Sequence, residues 1–157
     1  MGSFTINRFN GIEKYEISEA KIYAVKKQEN EIMLWLEVET EQEPIQSLPD
    51  TVDCKMNPSG EVTVYMDNLK LENFGEQEFI ISKGYDEDSN DLAVRIYYFE
   101  HQEVNNNVLK MKYNGNGIFH INWTGITRDI SYYDGSKPDT TIEVNGEFIF
   151  EEFKEWL

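Results

Sequence analysis

Cysteine is all but missing from this chain. Cys54 is the single one in 157 residues, so no intrachain disulfide can form and a thiolate zinc site, which needs several cysteines, is excluded. One thiol fits a reducing compartment, and the expected location is cytoplasmic. Cys54 alternates with Val52 and Met56 on an apolar strand face, where a thiol is buried and inert rather than nucleophilic. Histidine is nearly as scarce. His101 and His120 fall on different predicted strands or strand ends, with no carboxylate spacing around them that completes a metal site. His120 is expected to be half-buried beside Phe119 and Ile121.

Long apolar runs are missing too. The longest candidate, Ile32 to Leu36, covers five residues, against about 20 for a helix that crosses a bilayer. Met1 to Asn10 holds one Arg and no apolar block, so no secretory signal is read there. Ile6 stands where myristoylation requires Ser or Thr. Met1-Gly2-Ser3 has the composition of an appended leader. Residues 1–3 read as an added scar at the head of the domain, and a leader removed upstream stays open.

Two motifs of covalent and phosphate chemistry are absent from the sequence: there is no G-x-S-x-G elbow and no Gly-rich phosphate loop. Asp86, Asp88 and Asn90 begin like a calcium loop. Asp91 then occupies the position that needs Gly and Tyr97 the position that needs a bidentate Glu, so a solvated hairpin tip is expected. Thirty acids could supply a carboxylate pair for glycoside hydrolysis, but no spacing singles one out. No catalytic residue, cofactor or metal ligand is assigned.

Basic residues are the last shortage. Fourteen Lys and Arg against thirty Asp and Glu give a formal charge of −16. The acids are spread, ten in residues 1–50, eleven in 51–100 and nine in 101–157, so the folded surface itself is negative. Nucleic-acid backbones and anionic membranes are repelled by such a surface. A basic protein is drawn to it.

What the chain has in quantity is aromatic residues, at 13% of the sequence, and short segments of alternating polarity. Ile32, Leu34, Leu36 and Val38 share one strand face, opposed by Met33 and Trp35 and then by Glu37 and Glu39. Leu92, Val94, Ile96 and Tyr98 do the same against Ala93, Arg95, Tyr97 and Phe99. Further strands are read at Phe4 to Phe9 (a short edge strand), Ile12 to Ile17, Ala20 to Lys27, Gln77 to Lys83 and Val108 to Tyr113. Thr51 to Met56 and Val62 to Met66 form a hairpin around Asn57-Pro58-Ser59-Gly60. Glu103 to Asn107 reads as a loop, and Asn114-Gly115-Asn116-Gly117 as a hairpin turn. Trp35 and Trp123 are expected in the core.

The central stretch, Gly117 to Tyr133, places Phe119, Ile121 and Trp123 on one face. Ile126, Ile130 and Tyr132 then fall on the other parity, which predicts a bend or change of sheet at Gly125. Thr140 to Phe150 keeps one parity, so a single strand is read through Asn145-Gly146. Phe150, Phe153 and Trp156 recur at helical spacing and predict a short C-terminal helix.

These patterns give a single globular β domain over 1–157, an antiparallel two-sheet sandwich or flattened barrel of about 8–10 strands. The expected function is a non-catalytic acidic protein-binding module, such as an immunity or antitoxin-type inhibitor of a basic partner. The alternative is a small-ligand or carbohydrate-binding β-domain. Adjacent tyrosines point to opposite faces, so each pair offers one ring to a partner. The candidate partner-binding set is Tyr97, Tyr98, Asp129, Tyr132, Tyr133 and Asp134, with Asp129 read as solvent-facing. Oligomeric state and ligand identity are left open.

Overall fold

In the computed structural model, residues 2–49, 57–130 and 132–155 are described. They form β1 (Gly2–Arg8), β2 (Gly11–Gln28), β3 (Glu31–Thr40), β4 (Ser59–Met66), β5 (Glu76–Ile81), β6 (Tyr85–Asp86), β7 (Asp91–Leu92), β8 (Val94–Tyr98), β9 (Glu100–Glu103), β10 (Asn105–Tyr113), β11 (Ile118–Thr127) and β12 (Thr140–Glu155). A 3-10 turn at Leu71–Asn73 is the one helical element among the described residues. The chain is all-β. One large sheet has the order β5-β10-β11-β12-β1-β2-β3-β4-β8-β9, and β6 and β7 make a small second sheet.

Every neighbouring pair in that order is antiparallel, and one extra pairing, β12 with β2, is parallel. The cause is length. β1 has seven residues and separates β12 from β2 only as far as Gly2. Beyond it the two long strands meet directly, Ile149 to Glu155 against Lys21 to Lys26. β1 is thus central rather than an edge, and Gly2 and Ser3 are working strand residues paired with Gly146 and Asn145.

The inward faces follow the alternation of the sequence. Ile32, Leu34, Leu36 and Val38 are buried, as are Val62, Val64, Val94, Ile96 and Tyr98. β2 runs as one strand over Gly11–Gln28, where the sequence predicts two segments. A register shift between Ile17 and Glu19 changes its inward set from Glu13, Tyr15 and Ile17 to Ala20, Ile22 and Ala24. The sheet folds back on itself, with Gly60 of β4 against the Trp123 ring of β11. A Cβ at position 60 would come 2.8 Å from that ring, so glycine sets how closely the two halves approach.

Several expectations are corrected. There is no change of parity at Gly125: Phe119, Ile121, Trp123, Gly125 and Thr127 all point inward and Ile126 faces out. Strand parity turns position 125 inward, and it is glycine because a Cβ there would overlap Val104 Cγ1 and lie 2.5 Å from Asn107 Oδ1. A small residue and a threonine at inward positions disguised the true face. The C-terminal helix is absent among the described residues, since β12 continues extended to Glu155. A register shift between Phe150 and Glu152 breaks the period of two there, so three-residue aromatic spacing no longer argues for a helix. Trp156 and Leu157 lie outside the described residues.

Ser59 and Gly60 open β4, which pairs with β3 and β8, instead of turning a hairpin. Val52, Cys54 and Met56 lie outside the described residues. Glu103 to Asn107 is not a loop of its own: Glu103 ends β9, Val104 alone lies between the strands, and Asn105 begins β10. The irregularity falls between Asn105 and Val108, where Asn106 takes the left-handed region and Asn107 turns fully inward. Trp35 is half-buried on the outer face rather than in the core, and His120 is exposed rather than half-buried.

Candidate functional site

The end of β1, the start of β2 and the segment after β11 converge on a buried cluster of charge. Arg8 Nε and Nη2 donate to Asp129 Oδ1 and Oδ2, each at 2.9 Å. Arg8 Nη1 donates to Glu13 Oε2 at 3.1 Å. Glu13 Oε1 accepts from the Tyr15 hydroxyl at 3.0 Å and the Tyr98 hydroxyl at 3.1 Å. Thr140 Oγ1 donates to Asp129 Oδ1 at 2.9 Å. The Arg8, Glu13 and Asp129 side chains are fully screened from solvent.

A planar guanidinium meets one carboxylate with two parallel bonds and a second with one, which is the geometry that offsets the cost of desolvating such groups. Burial, reinforced by Tyr98 and Glu13, pushes the Tyr15 hydroxyl far above the usual tyrosine range. Among the described residues no buried polar side-chain atom of the cluster lacks a bond, so the cluster orders the fold and offers no open position for a substrate.

Residues 128–130 and 132–139 lie beside this cluster. Tyr133 donates its hydroxyl to the Tyr98 carbonyl at 2.7 Å, and Arg128 donates to the Tyr133 carbonyl at 2.8 Å. Tyr132 meets Phe9 edge-on at 5.7 Å, and Lys137 Nζ stands 5.2 Å from the Phe9 ring and 5.3 Å from Tyr132. Asp134 is exposed at the loop tip. Its carboxylate accepts from the Ser136 amide at 2.9 Å, which holds it below the ordinary range.

Of the six residues singled out in sequence, Tyr98, Asp129, Tyr132, Tyr133 and Asp134 are therefore gathered at one end of the sheet. Two of them are not available to a partner, because Tyr98 and Asp129 are each 1% exposed. Asp129 is a correction. The inward parity of β11 persists past its end and carries the carboxylate inside to Arg8. Tyr97 sits elsewhere, on the outer face, with its ring 4.8 Å from His101.

That outer face, across β2, β3, β4 and β8, went unrecognised in sequence because it is assembled by register. Lys21 pairs with Glu37, Glu37 with Glu61, Glu61 with Arg95, and Arg95 with Glu103. On one side of this row lie Glu19, Glu39, Ser59 and Tyr97. On the other lie Tyr23, Trp35 and Thr63, followed by Val25, Met33 and Tyr65. Tyr23 and Trp35 stand 5.8 Å apart, both half-buried, and Tyr65 is 48% exposed.

The bases of the row are engaged. Lys21 holds Glu19 at 2.6 Å, and Arg95 holds Glu61 at 2.6 Å. Glu37 has no bonded cation among the described residues. Partial burial, then Glu61 and Glu39, hold its carboxyl above the ordinary range. The only sequence signal was the opposition of Met33, Trp35, Glu37 and Glu39 to the buried face of β3.

A shallow groove of about 590 Å³ crosses the outer face of β5, β10 and β11, lined by Glu76, Glu78, Lys110, Lys112 and His120 among others. Its bases are matched in register by Glu78, Glu76 and Glu147, so it offers no net anion site. No group of three metal-ligating side chains occurs among the described residues, and none of their helices is long and apolar enough to cross a membrane.

Fold and site together define an all-β domain with an internal ion network and an acidic, aromatic outer face. No family model, curated protein or solved structure matches this chain.

Proposed function

We propose that the chain is a single, non-catalytic cytoplasmic domain, its sheet closed into a sandwich or flattened barrel, that binds a basic protein partner in the manner of an immunity or antitoxin-type inhibitor. The docking surface is the outer face of β2, β3, β4 and β8. The observation that carries this reading is Glu37. It lies half-buried beside the Tyr23 and Trp35 rings, opposite Glu61 on one side and, on the other, opposite Lys21, whose ammonium is bonded to Glu19, so that it has no bonded cation among the described residues. A guanidinium or ammonium from a partner completes that position, gaining a charge-assisted bond and an aromatic face at once. The surrounding acids of a chain with charge −16 steer the encounter.

Titration with a hexa-arginine peptide, followed by amide shifts and indole fluorescence, tests it. Shifts should gather at Lys21 to Tyr23, Trp35 to Glu39 and Glu61 to Thr63, fade as salt rises, and weaken several-fold in Glu37→Gln. Shifts scattered over all surface carboxylates would refute the assignment. Salt-insensitive quenching by a sugar, stacked on Tyr23 and Trp35, would support the carbohydrate-binding alternative instead.

A further inference from the structure

We propose that β5 receives an extended segment of the partner as an additional strand, one in which basic residues alternate with apolar ones. The inference rests on the basic-partner reading above for the sign of the partner's charge, and on separate geometry for the place and mode of binding.

β5 ends the large sheet and pairs only with β10 among the described residues. The other end is different, because Thr127 Oγ1 donates to the Glu103 carbonyl of β9 at 2.9 Å and so occupies part of that edge. On β5, the Tyr113 amide donates to the Gly75 carbonyl at 2.9 Å. Bonded pairs alternate along an antiparallel ladder, so Gln77 and Phe79 direct their backbone groups to β10. Glu76, Glu78 and Ile80 direct theirs to the open side. Such a row of unpaired groups is a template for strand addition.

The side chains state what kind of strand fits. Glu76, Glu78 and Ile80 lie on the outer face and are exposed, Ile80 to 64%. Gln77, Phe79 and Ile81 face the core side but stay only partly covered, with Phe79 and Ile81 packed on the core along one flank. An added strand would bring apolar residues beside Phe79 and Ile81 and basic residues beside Glu76 and Glu78. On the inner flank those two acids already face Lys112 and Lys110, with Lys112 Nζ 3.6 Å from Glu76. A new base would extend the same alternation of charge outward. A second copy of this chain fits worse, since it brings another −16 and sets acids beside acids in the register centred on Glu78.

The probe is a capped hexapeptide of alternating Lys and Val, with a twin N-methylated at every second residue. In the free protein the amides of Gln77 and Phe79 should exchange slowly and those of Glu76, Glu78 and Ile80 quickly. Peptide binding should slow the latter three at least about tenfold, and the N-methylated twin should not. Ile80→Pro removes an outward N–H without cutting the ladder to β10 and should abolish this protection, as should charge reversal in E76K/E78K, which tests the same edge should the proline variant fail to fold.

Binding that shifts the Glu37 face but leaves the β5 amides unprotected overturns strand addition and leaves the proposed function standing. No binding at low salt by either surface overturns both. Protection of the three amides that rises with protein concentration alone would assign the edge to a homodimer and overturn the inference.

Discussion

Replacing Arg8 with Met should be among the most damaging single changes in this protein, and the damage should depend on pH in a set direction. Among the described residues Arg8 makes three charge-assisted bonds to two carboxylates whose side chains have no contact with solvent. Removing one partner of a buried ion pair costs about 3–5 kcal/mol, because the remaining charge is stranded. That is a large share of the roughly 5–15 kcal/mol that holds a domain together. At about 2–4 °C per kcal/mol for a chain of this size, Tm should fall by roughly 6–20 °C.

The pH dependence follows from what Glu13 and Asp129 do when stranded. Burial beside each other without a cation raises their folded-state pKa above the unfolded value of about 4. Between those two values the folded state binds more protons than the unfolded state, so stability declines as pH rises through that window. Urea denaturation of Arg8→Met should therefore show its smallest deficit near pH 5 and its largest near pH 8. The triple variant R8M/E13Q/D129N should recover much of the loss. Its amide oxygens still accept from Tyr15, Tyr98 and Thr140 and carry no charge. A midpoint within about 2 °C of the parent and flat with pH would refute the reasoning, as would a triple variant no better than R8M.

Gly125→Ala should destabilise by about 1–3 kcal/mol, read as a shift in denaturation midpoint at constant slope, since the added methyl meets Val104 and Asn107 inside a packed core. Tyr15 and Tyr133 are both held above the usual tyrosine range, chiefly by burial. Ultraviolet titration should find them silent until alkaline unfolding, and stability should fall as pH rises past about 10, where the unfolded hydroxyls ionise first. Glu37→Gln should raise stability by up to about 1 kcal/mol at neutral pH while weakening the basic partner; its carboxyl sits above the ordinary range, so the gain should shrink as pH falls.

The sequence is informative where one face is uniformly apolar. β3 and β8 are legible because their inward residues are Ile, Leu, Val and Tyr, broken only by Thr40 at the very end of β3. It misleads where an inward position is filled by something other than a hydrophobe. β11 holds glycine and threonine inside at Gly125 and Thr127, and its line of inward residues ends in Asp129. Asn107, read as loop, is fully buried because its amide group serves Trp123 Nε1, the Ile81 carbonyl and the Val104 carbonyl. The ion network was invisible for the same reason. Arg8 and Asp129 are 121 residues apart, and only the closure of β1 between β12 and β2 brings them together. The outer face is hidden in another way. Its rows exist only once four strands are in register, so no local window contains Glu37, Glu61 and Arg95 side by side.

The two charge assemblies make opposite use of carboxylates. Inside, two acids receive one guanidinium, two phenols and a threonine hydroxyl, so each negative charge is met by donors. Outside, Glu37 and Glu61 stand directly opposite each other, and the nearest bases are already bonded to other acids or to Glu61 itself. Like charges directly opposite on a sheet are destabilising, and Glu37→Gln would remove the repulsion without touching the core. Partial burial beside Trp35 makes the arrangement worse for the isolated domain and better for a cation that arrives with a partner, since a bond formed there is less screened by water. A position that is unfavourable alone and favourable when occupied is what a binding surface requires. The acid that weakens the free domain is therefore the one whose neutralisation should most reduce binding.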